Sequence, residues 1–255
     1  MLFQSYIFIL LFFPLCLLGF WGLKRQKLLQ LWLIAFSLWF YGAASPYYLL
    51  LLLGSIAWNY AFFRAIERGI GRVIERVSGS AMERAEYGME RDSSRKRLLL
   101  GIGIAGNLAL LCFFKYFNAI SAGWSQMKGL EDPILQLALP LGISFFTFQQ
   151  IGFLADAYKG EVGACSLREY VLFVSFFPYV SSGPIVNAQE MLPQYRQIGR
   201  QRLDWAKFAG GLYLFALGLS KKVLLADTFG KAVDAGYGNV AGLSGTDAWL
   251  VMLFY

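Results

Sequence analysis

Residues 5–23 read SYIFILLFFPLCLLGFWGL, 19 positions without a charge. At about 1.5 Å of rise per residue, such a helix matches a hydrocarbon core about 30 Å thick. It is a poor secretory leader. A leader carries its positive charge ahead of the apolar region, whereas Lys24, Arg25 and Lys27 follow this one. The order predicts a retained helix with its N-terminus outside and the first basic loop in the cytoplasm.

The same pattern repeats outward from there. Leu28–Ala44 and Pro46–Phe63 form a second and a third apolar run, joined by the short Gly42–Pro46 connection of a helical hairpin. Arg64–Arg97 then holds nine basic and six acidic residues and predicts a charged cytoplasmic helical loop. Leu98–Phe114 is the next span, followed by a polar loop over 118–132, and Ile134–Ala155 crosses back. Tyr170–Val186 is apolar but interrupted by Pro178, Gly183 and Pro184, and basic or mixed-charge segments flank it on both sides. A segment that enters and leaves on one side is re-entrant, and its irregular backbone must be buried in protein or line a cavity. Phe208–Ala226 is a further span with Lys221 and Lys222 near its end, and a last apolar run opens at Ala248. The expectation is an all-α polytopic membrane bundle of about six full spans, one re-entrant segment and a shortened last helix, forming a single domain over 1–255.

Composition agrees with this reading. The chain is 57% hydrophobic and 15% charged, against roughly 25% charged residues in ordinary soluble domains. Its net charge of +7 sits between apolar runs, as in cytoplasmic loops, and not on a face suited to nucleic acid. The 255 residues include no histidine, which removes Ser-His-Asp hydrolysis, Cys-His proteolysis, His-ligated zinc and a histidine base from this chain's own chemistry. Cys16, Cys112 and Cys165 are scattered without metal-ligand spacing, so neither a metal site nor a disulfide framework is expected.

Few motifs carry chemistry. Gly101–Gly106 fits the dinucleotide expression GxGxxG, but it lies inside an apolar run, where small residues serve close helix packing. Ser144, Thr147, Gln149 and Gln150 are costly against lipid and should face a bundle interior or a wet path, either as interhelical hydrogen bonds or as a tunnel wall. Pro184 marks the break that would shape the cytoplasmic side of such a path. Arg196, Arg200, Arg202 and Lys207 form a basic cluster that suits a phosphorylated donor such as coenzyme A, or equally anionic lipid at a cytoplasmic loop. Asp156 reads as a boundary carboxylate, and Lys221 and Lys222 as snorkelling cations or cleft residues.

Four segments together carry a family resemblance. Pro140–Gly160 (PLGISFFTFQQIGFLADAYKG) and Phe177–Tyr195 (FPYVSSGPIVNAQEMLPQY) resemble hallmark segments of the membrane-bound O-acyltransferases of the alginate O-acetylase branch. Residues 1–20 and 37–60 (SLWFYGAASPYYLLLLLGSIAWNY) fit the same branch. The resemblance implies a helical bundle around a tunnel, with 140–195 as core segments. It also implies an acetyl group taken from a cytoplasmic thioester, acetyl-coenzyme A, and delivered to an exported polysaccharide such as alginate. Periplasmic acetylation proteins are the implied partners and the bacterial inner membrane the implied location, with a periplasmic N-terminus. The family's catalytic histidine matches no position here and is expected beyond Tyr255, so the resemblance implies an N-terminal portion that is inactive alone. A non-catalytic scaffold or transporter-like subunit of a polysaccharide export machine is the alternative.

Overall fold

Apolar runs become helices wherever proline or glycine does not interrupt them, and the computed structural model of the protein is helical throughout its regular elements. It describes residues 3–77, 82–128, 137–181, 183–200 and 204–255, with the side chains of 69–93, Arg200 and Ala241 excepted. Two compact units emerge, Met1–Gln201 and Arg202–Tyr255.

In the first unit a π-helical turn, Phe8–Phe12, leads into α1 (Phe13–Gly22), and α2 is Gln26–Gly42. Long helices α3 (Pro46–Val77) and α4 (Met82–Met127) follow, then α5 (Ile143–Lys159). Three short pieces complete it: α6 (Leu167–Ser175), the single turn α7 (Phe177–Val180) and α8 (Ala188–Gln197). Two aromatic clusters hold them together. Phe12 and Phe40 pack around Phe177, with ring centroids 5.2 and 5.8 Å away. Phe63 and Tyr170 close on Phe153 at 5.1 and 4.7 Å. The interrupted segment 167–180 therefore plugs into both clusters, and Tyr170, Phe173 and Phe177 are buried.

Several boundaries differ from the sequence reading. The charged stretch 64–97 is helical, as expected, but continuous with its neighbours: α3 runs on to Val77 and α4 begins at Met82, with residues 78–81 outside the described set. Alternating charges favour this, as in the Arg64–Glu67 pair at 2.6 Å, because residues three and four apart share a helix face. At the other end α4 continues through 118–127, where a loop is expected from sequence. Conversely, the span expected from Ile134 starts helically only at Ile143. Pro140 has no N–H to donate, and Gly142 takes a left-handed φ of 68° that ends any helical continuation. Among the described residues, three helices are long and apolar enough to cross a membrane, within Pro46–Arg68, Ser94–Met127 and Trp205–Gly238. At 17 residues each, α2 and α5 stand at the short end of what crosses.

The Gly101–Gly106 motif lies inside α4. A side chain on Gly103 would press Leu154 at 2.9 Å, and one on Gly106 would press Trp58 at 2.9 Å. Small residues here let α3 and α5 approach α4, the packing role anticipated above.

The second unit contains α9 (Trp205–Ser220), a π-helical stretch Lys221–Ala226, α10 (Asp227–Gly238) and α11 (Gly245–Phe254). Lys221 and Lys222 lie within the helix, which continues past the end expected at Ala226. The wider π turn carries it through to Gly238 and aligns residues five apart, so Lys222 pairs with Asp227. Helix α11 opens on a capping box between Ser244 and Asp247, and Phe254 stacks on Phe229 of α10 at 4.9 Å.

Candidate functional site

The interrupted segment is the natural place to begin. Phe176 has φ −54° and ψ 115°, outside the helical region, so the bond that Phe177 N–H would give Phe173 C=O is lost. Both orphaned groups find side chains. Ser37 Oγ of α2 accepts from Phe177 N–H at 3.2 Å. The Phe173 carbonyl accepts from Gln149 Nε2 of α5 at 3.0 Å and from Tyr179 O–H at 2.8 Å. Tyr179 has one proton, and it goes to Phe173, so across the 2.6 Å Tyr179–Tyr195 contact Tyr195 is the donor. Gln30 of α2 then donates to the Tyr195 carbonyl at 3.0 Å. Irregular backbone inside an apolar bundle needs such partners, since each unsatisfied group costs several kcal/mol, roughly, without water.

A second polar chain crosses the same bundle. Tyr170 O–H donates to Gln150 Oε1 at 3.2 Å, and Gln150 Nε2 donates to Ser55 Oγ at 2.9 Å. One turn along α3, Asn59 and Asn107 of α4 exchange amide hydrogen bonds of 3.0 and 2.6 Å. Each amide also donates to its own helix, Asn59 to Ser55 C=O at 2.9 Å and Asn107 to Gly103 C=O at 2.8 Å. All five side chains are buried.

The extended piece before α5 is braced likewise. Asn118 holds Leu137 from both sides, accepting from its N–H at 2.9 Å and donating to its carbonyl at 2.8 Å. Tyr48 donates to Ala138 C=O, and Tyr41 to Leu141 C=O at 2.9 Å. Gly142 then lies against the Val180 and Ser181 backbone, where a Cβ would overlap the Val180 carbonyl.

The four polar residues singled out in α5 separate accordingly. Gln149 and Gln150 are buried and hydrogen-bonded, Ser144 is half-buried, and Thr147 is fully buried with no partner for its hydroxyl among the described residues. Pro184 is exposed in the irregular stretch after α7. Arg196 is engaged with protein, its Nε on Glu169 at 2.9 Å and a second nitrogen on the Ala164 carbonyl. Lys207 is 87% exposed, with Asp204 at 3.9 Å. Arg202 lies outside the described residues, as does the side chain of Arg200.

Electrostatics support a clamp at 161–169. Partial burial pushes the Glu169 carboxyl up, but hydrogen bonds from Arg196 and from the Ser166 amide and hydroxyl outweigh it and hold the group below its ordinary range. Cys165 is buried and pushed up to about 12, chiefly by burial and then by Glu169, so it remains a thiol. Asp156, at the end of α5, is raised by desolvation and by Glu161. No group of acidic or cysteine side chains that could hold a metal occurs among the described residues.

Ser37, Ser55, Asn59, Asn107, Tyr179 and Tyr195 were not singled out from sequence. The same argument would have found the first four, since each is a polar residue inside an apolar run.

Comparison with known proteins adds a second line. The chain is 34% identical over 284 residues to the peptidoglycan O-acetyltransferase of Helicobacter pylori, covering all of this chain and 50% of that protein. It is 33% identical over 261 residues to the protein named probable alginate O-acetylase of Pseudomonas putida, covering all of this chain and 48% of that one. A teichoic acid D-alanyltransferase of Lacticaseibacillus rhamnosus matches at 27% over 90 residues, 35% of this chain and 22% of that protein. The chain thus spans about half the length of the curated relatives it matches over its full extent. No protein-family model and no solved structure matches it.

Proposed function

Because the chain belongs to the membrane-bound O-acyltransferase family, we propose that it serves O-acetylation of an exported polysaccharide at the bacterial inner membrane. The acetyl group comes from a cytoplasmic thioester, acetyl-coenzyme A, and passes to a sugar hydroxyl, with periplasmic acetylation proteins as partners and the N-terminus on the periplasmic side. The observation that carries this reading is the similarity of the whole of this chain to about half of proteins named O-acetyltransferases of peptidoglycan and of alginate.

The geometry suits a supporting role in such a reaction. Gln149 and Ser37 fix the interrupted helix from two sides, while Ser144 and Thr147 stand at the start of α5 beside it. With no histidine in its 255 residues, the chain supplies no imidazole base. Binding of donor and acceptor, and not proton transfer by histidine, is the part assigned to it. Arg200, Arg202 and Lys207 are the donor-binding candidates, and Arg196 acts through its clamp on Glu169.

The test is photo-crosslinking of an acetyl-coenzyme A analogue to membranes bearing the full chain, with polymer-bound acetyl label measured in parallel. Crosslinks competed by acetyl-coenzyme A, together with background-level transfer, are expected. Robust polymer acetylation by the purified chain overturns the assignment of catalysis elsewhere. Absence of competed crosslinks overturns donor binding and favours a second reading, a non-catalytic scaffold or transporter-like subunit of an export machine. That alternative draws on the same lack of histidine and on the interrupted, polar-lined helix.

A further inference from the structure

The dinucleotide-like motif in α4 divides between two faces of its helix. Gly103 and Gly106 turn inward, where Leu154 and Trp58 fill the space that a side chain would take. Gly101 stands two residues before Gly103 and Ala105 two after it, so each is turned by about 200° to the far side of the helix. A Cβ on Gly101 would meet nothing within 4 Å among the described residues, and Ala105 is exposed. The packing of α3 and α5 on α4 uses neither of them.

That far side is hollowed. Ser94, Arg97, Leu98, Gly101, Ile102 and Ala105 line an open groove of about 570 Å³, a volume within the range that seats small molecules. Helix α3, which runs antiparallel, sets its depth. Asn59 faces Asn107 and Tyr48 faces Phe114, and by the same register Arg97 is level with Arg68, where the apolar span of α3 ends. From Arg97 the groove runs eight residues to Ala105. That is about 12 Å along the axis, inside one leaflet of about 15 Å. Arg95, Lys96 and Arg97 are consecutive at its charged end, and none is in an ion pair among the described residues. An apolar trough one leaflet long therefore ends in cations at the depth of the headgroups.

We propose that this groove seats one anionic phospholipid, with an acyl chain along Gly101 and Ala105 and the phosphate on Arg97. Leu98 and Ile102, both exposed, give the chain apolar contact. A guanidinium presents a planar fork that matches phosphate geometry, and uncompensated cations near the membrane surface attract anionic over zwitterionic lipid. The site goes beyond the acyl-transfer reading and stands on α4 itself, whatever reaction the protein serves.

The test uses the full chain in a maltoside detergent, titrated with phosphatidylglycerol and in parallel with phosphatidylcholine. Native mass spectrometry counts the lipids retained, and thermal unfolding follows the melting temperature. A tightly retained phosphatidylglycerol and a saturable rise in melting temperature are expected, since a ligand that binds only the folded state stabilises it. Phosphatidylcholine should bind more weakly. Gly101→Leu fills the groove without pressing a neighbour, so the chain should fold and lose the retained lipid. Arg97→Gln should weaken phosphatidylglycerol by about fivefold, the effect of one cation near an anionic surface, and Arg95→Gln, outside the groove lining, by much less. Equal retention of the two lipids, or none, overturns the site. So does undiminished retention in Gly101→Leu. An Arg95→Gln loss as large as that of Arg97→Gln would mean diffuse surface attraction and no seat. A dimer that Gly101→Leu separates would place a second copy in the groove and overturn the lipid.

Discussion

Replacing Asn59 or Asn107 by leucine should be more damaging singly than together. Leucine has nearly the shape of asparagine, so the substitution removes the amide and opens little space. Asn59→Leu deletes both interhelical bonds, of 3.0 and 2.6 Å, and strands the Asn107 amide with only its own Gly103 carbonyl. Interhelical hydrogen bonds in membranes average about 0.6 kcal/mol and reach about 1.7, so the two together are worth about 1–3 kcal/mol. The stranded amide adds about 1–3 kcal/mol of uncompensated burial. In the double variant that second cost disappears. The carbonyls of Ser55 and Gly103 lose a side-chain donor but keep their helical N–H partners. The double variant should therefore be more stable than either single variant by about 1–3 kcal/mol, so the cycle closes far from additivity. Reversible unfolding in mixed micelles with rising SDS fraction measures all four chains. Additive single effects would show that the pair does not couple α3 to α4, and the reasoning would fail.

Gly142→Ala should destabilise by at least about 1–2 kcal/mol from its left-handed backbone alone, with a further loss as the new methyl displaces Val180. The same unfolding assay reads it, and a neutral result would mean that the contact is loose. The Glu169–Arg196 clamp should also depend on pH. Because the folded Glu169 is more acidic than an unfolded glutamate near about 4.3, its contribution is complete above that value and fades as pH falls through the lower folded one. Hydrogen-exchange protection factors of residues 161–169, taken relative to intrinsic exchange at each pH, should fall on acidification across that window, and Glu169→Gln should abolish that fall. An unaltered profile in Glu169→Gln would sink the clamp.

Much of this architecture is legible residue by residue. Apolar length and charge order mark α1 and α3, because lipid tolerates neither charge nor unpaired backbone. The break near Pro178 is equally plain, since proline cannot donate to the preceding turn. What sequence leaves hidden is pairing. Nothing in the run from Asn118 signals that its amide holds Leu137, so the polar residue reads as a loop and the helix is ended too early. Gln149 and Gln150 look alike beside one another, yet one closes the gap at Phe176 and the other joins α3 to α6. Neighbours on a helix face different partners, and only the packed bundle decides which. Arg196 in a basic cluster suggests a ligand for anions, but Glu169, 27 positions away, engages it.

The meeting of Gly142 with Val180 has a consequence for how this protein can change over time. Two interruptions, one before α5 and one after α7, abut at a single point and behave as one joint. An added or deleted residue in either would shift the backbone that meets at this contact. The joint leaves no slack to absorb it, because neither backbone can retreat without opening the other. Related chains should therefore vary freely in side chains around this joint while keeping the spacing from Pro140 to Gly183 fixed. Length, more than identity, is what this part of the membrane bundle inherits.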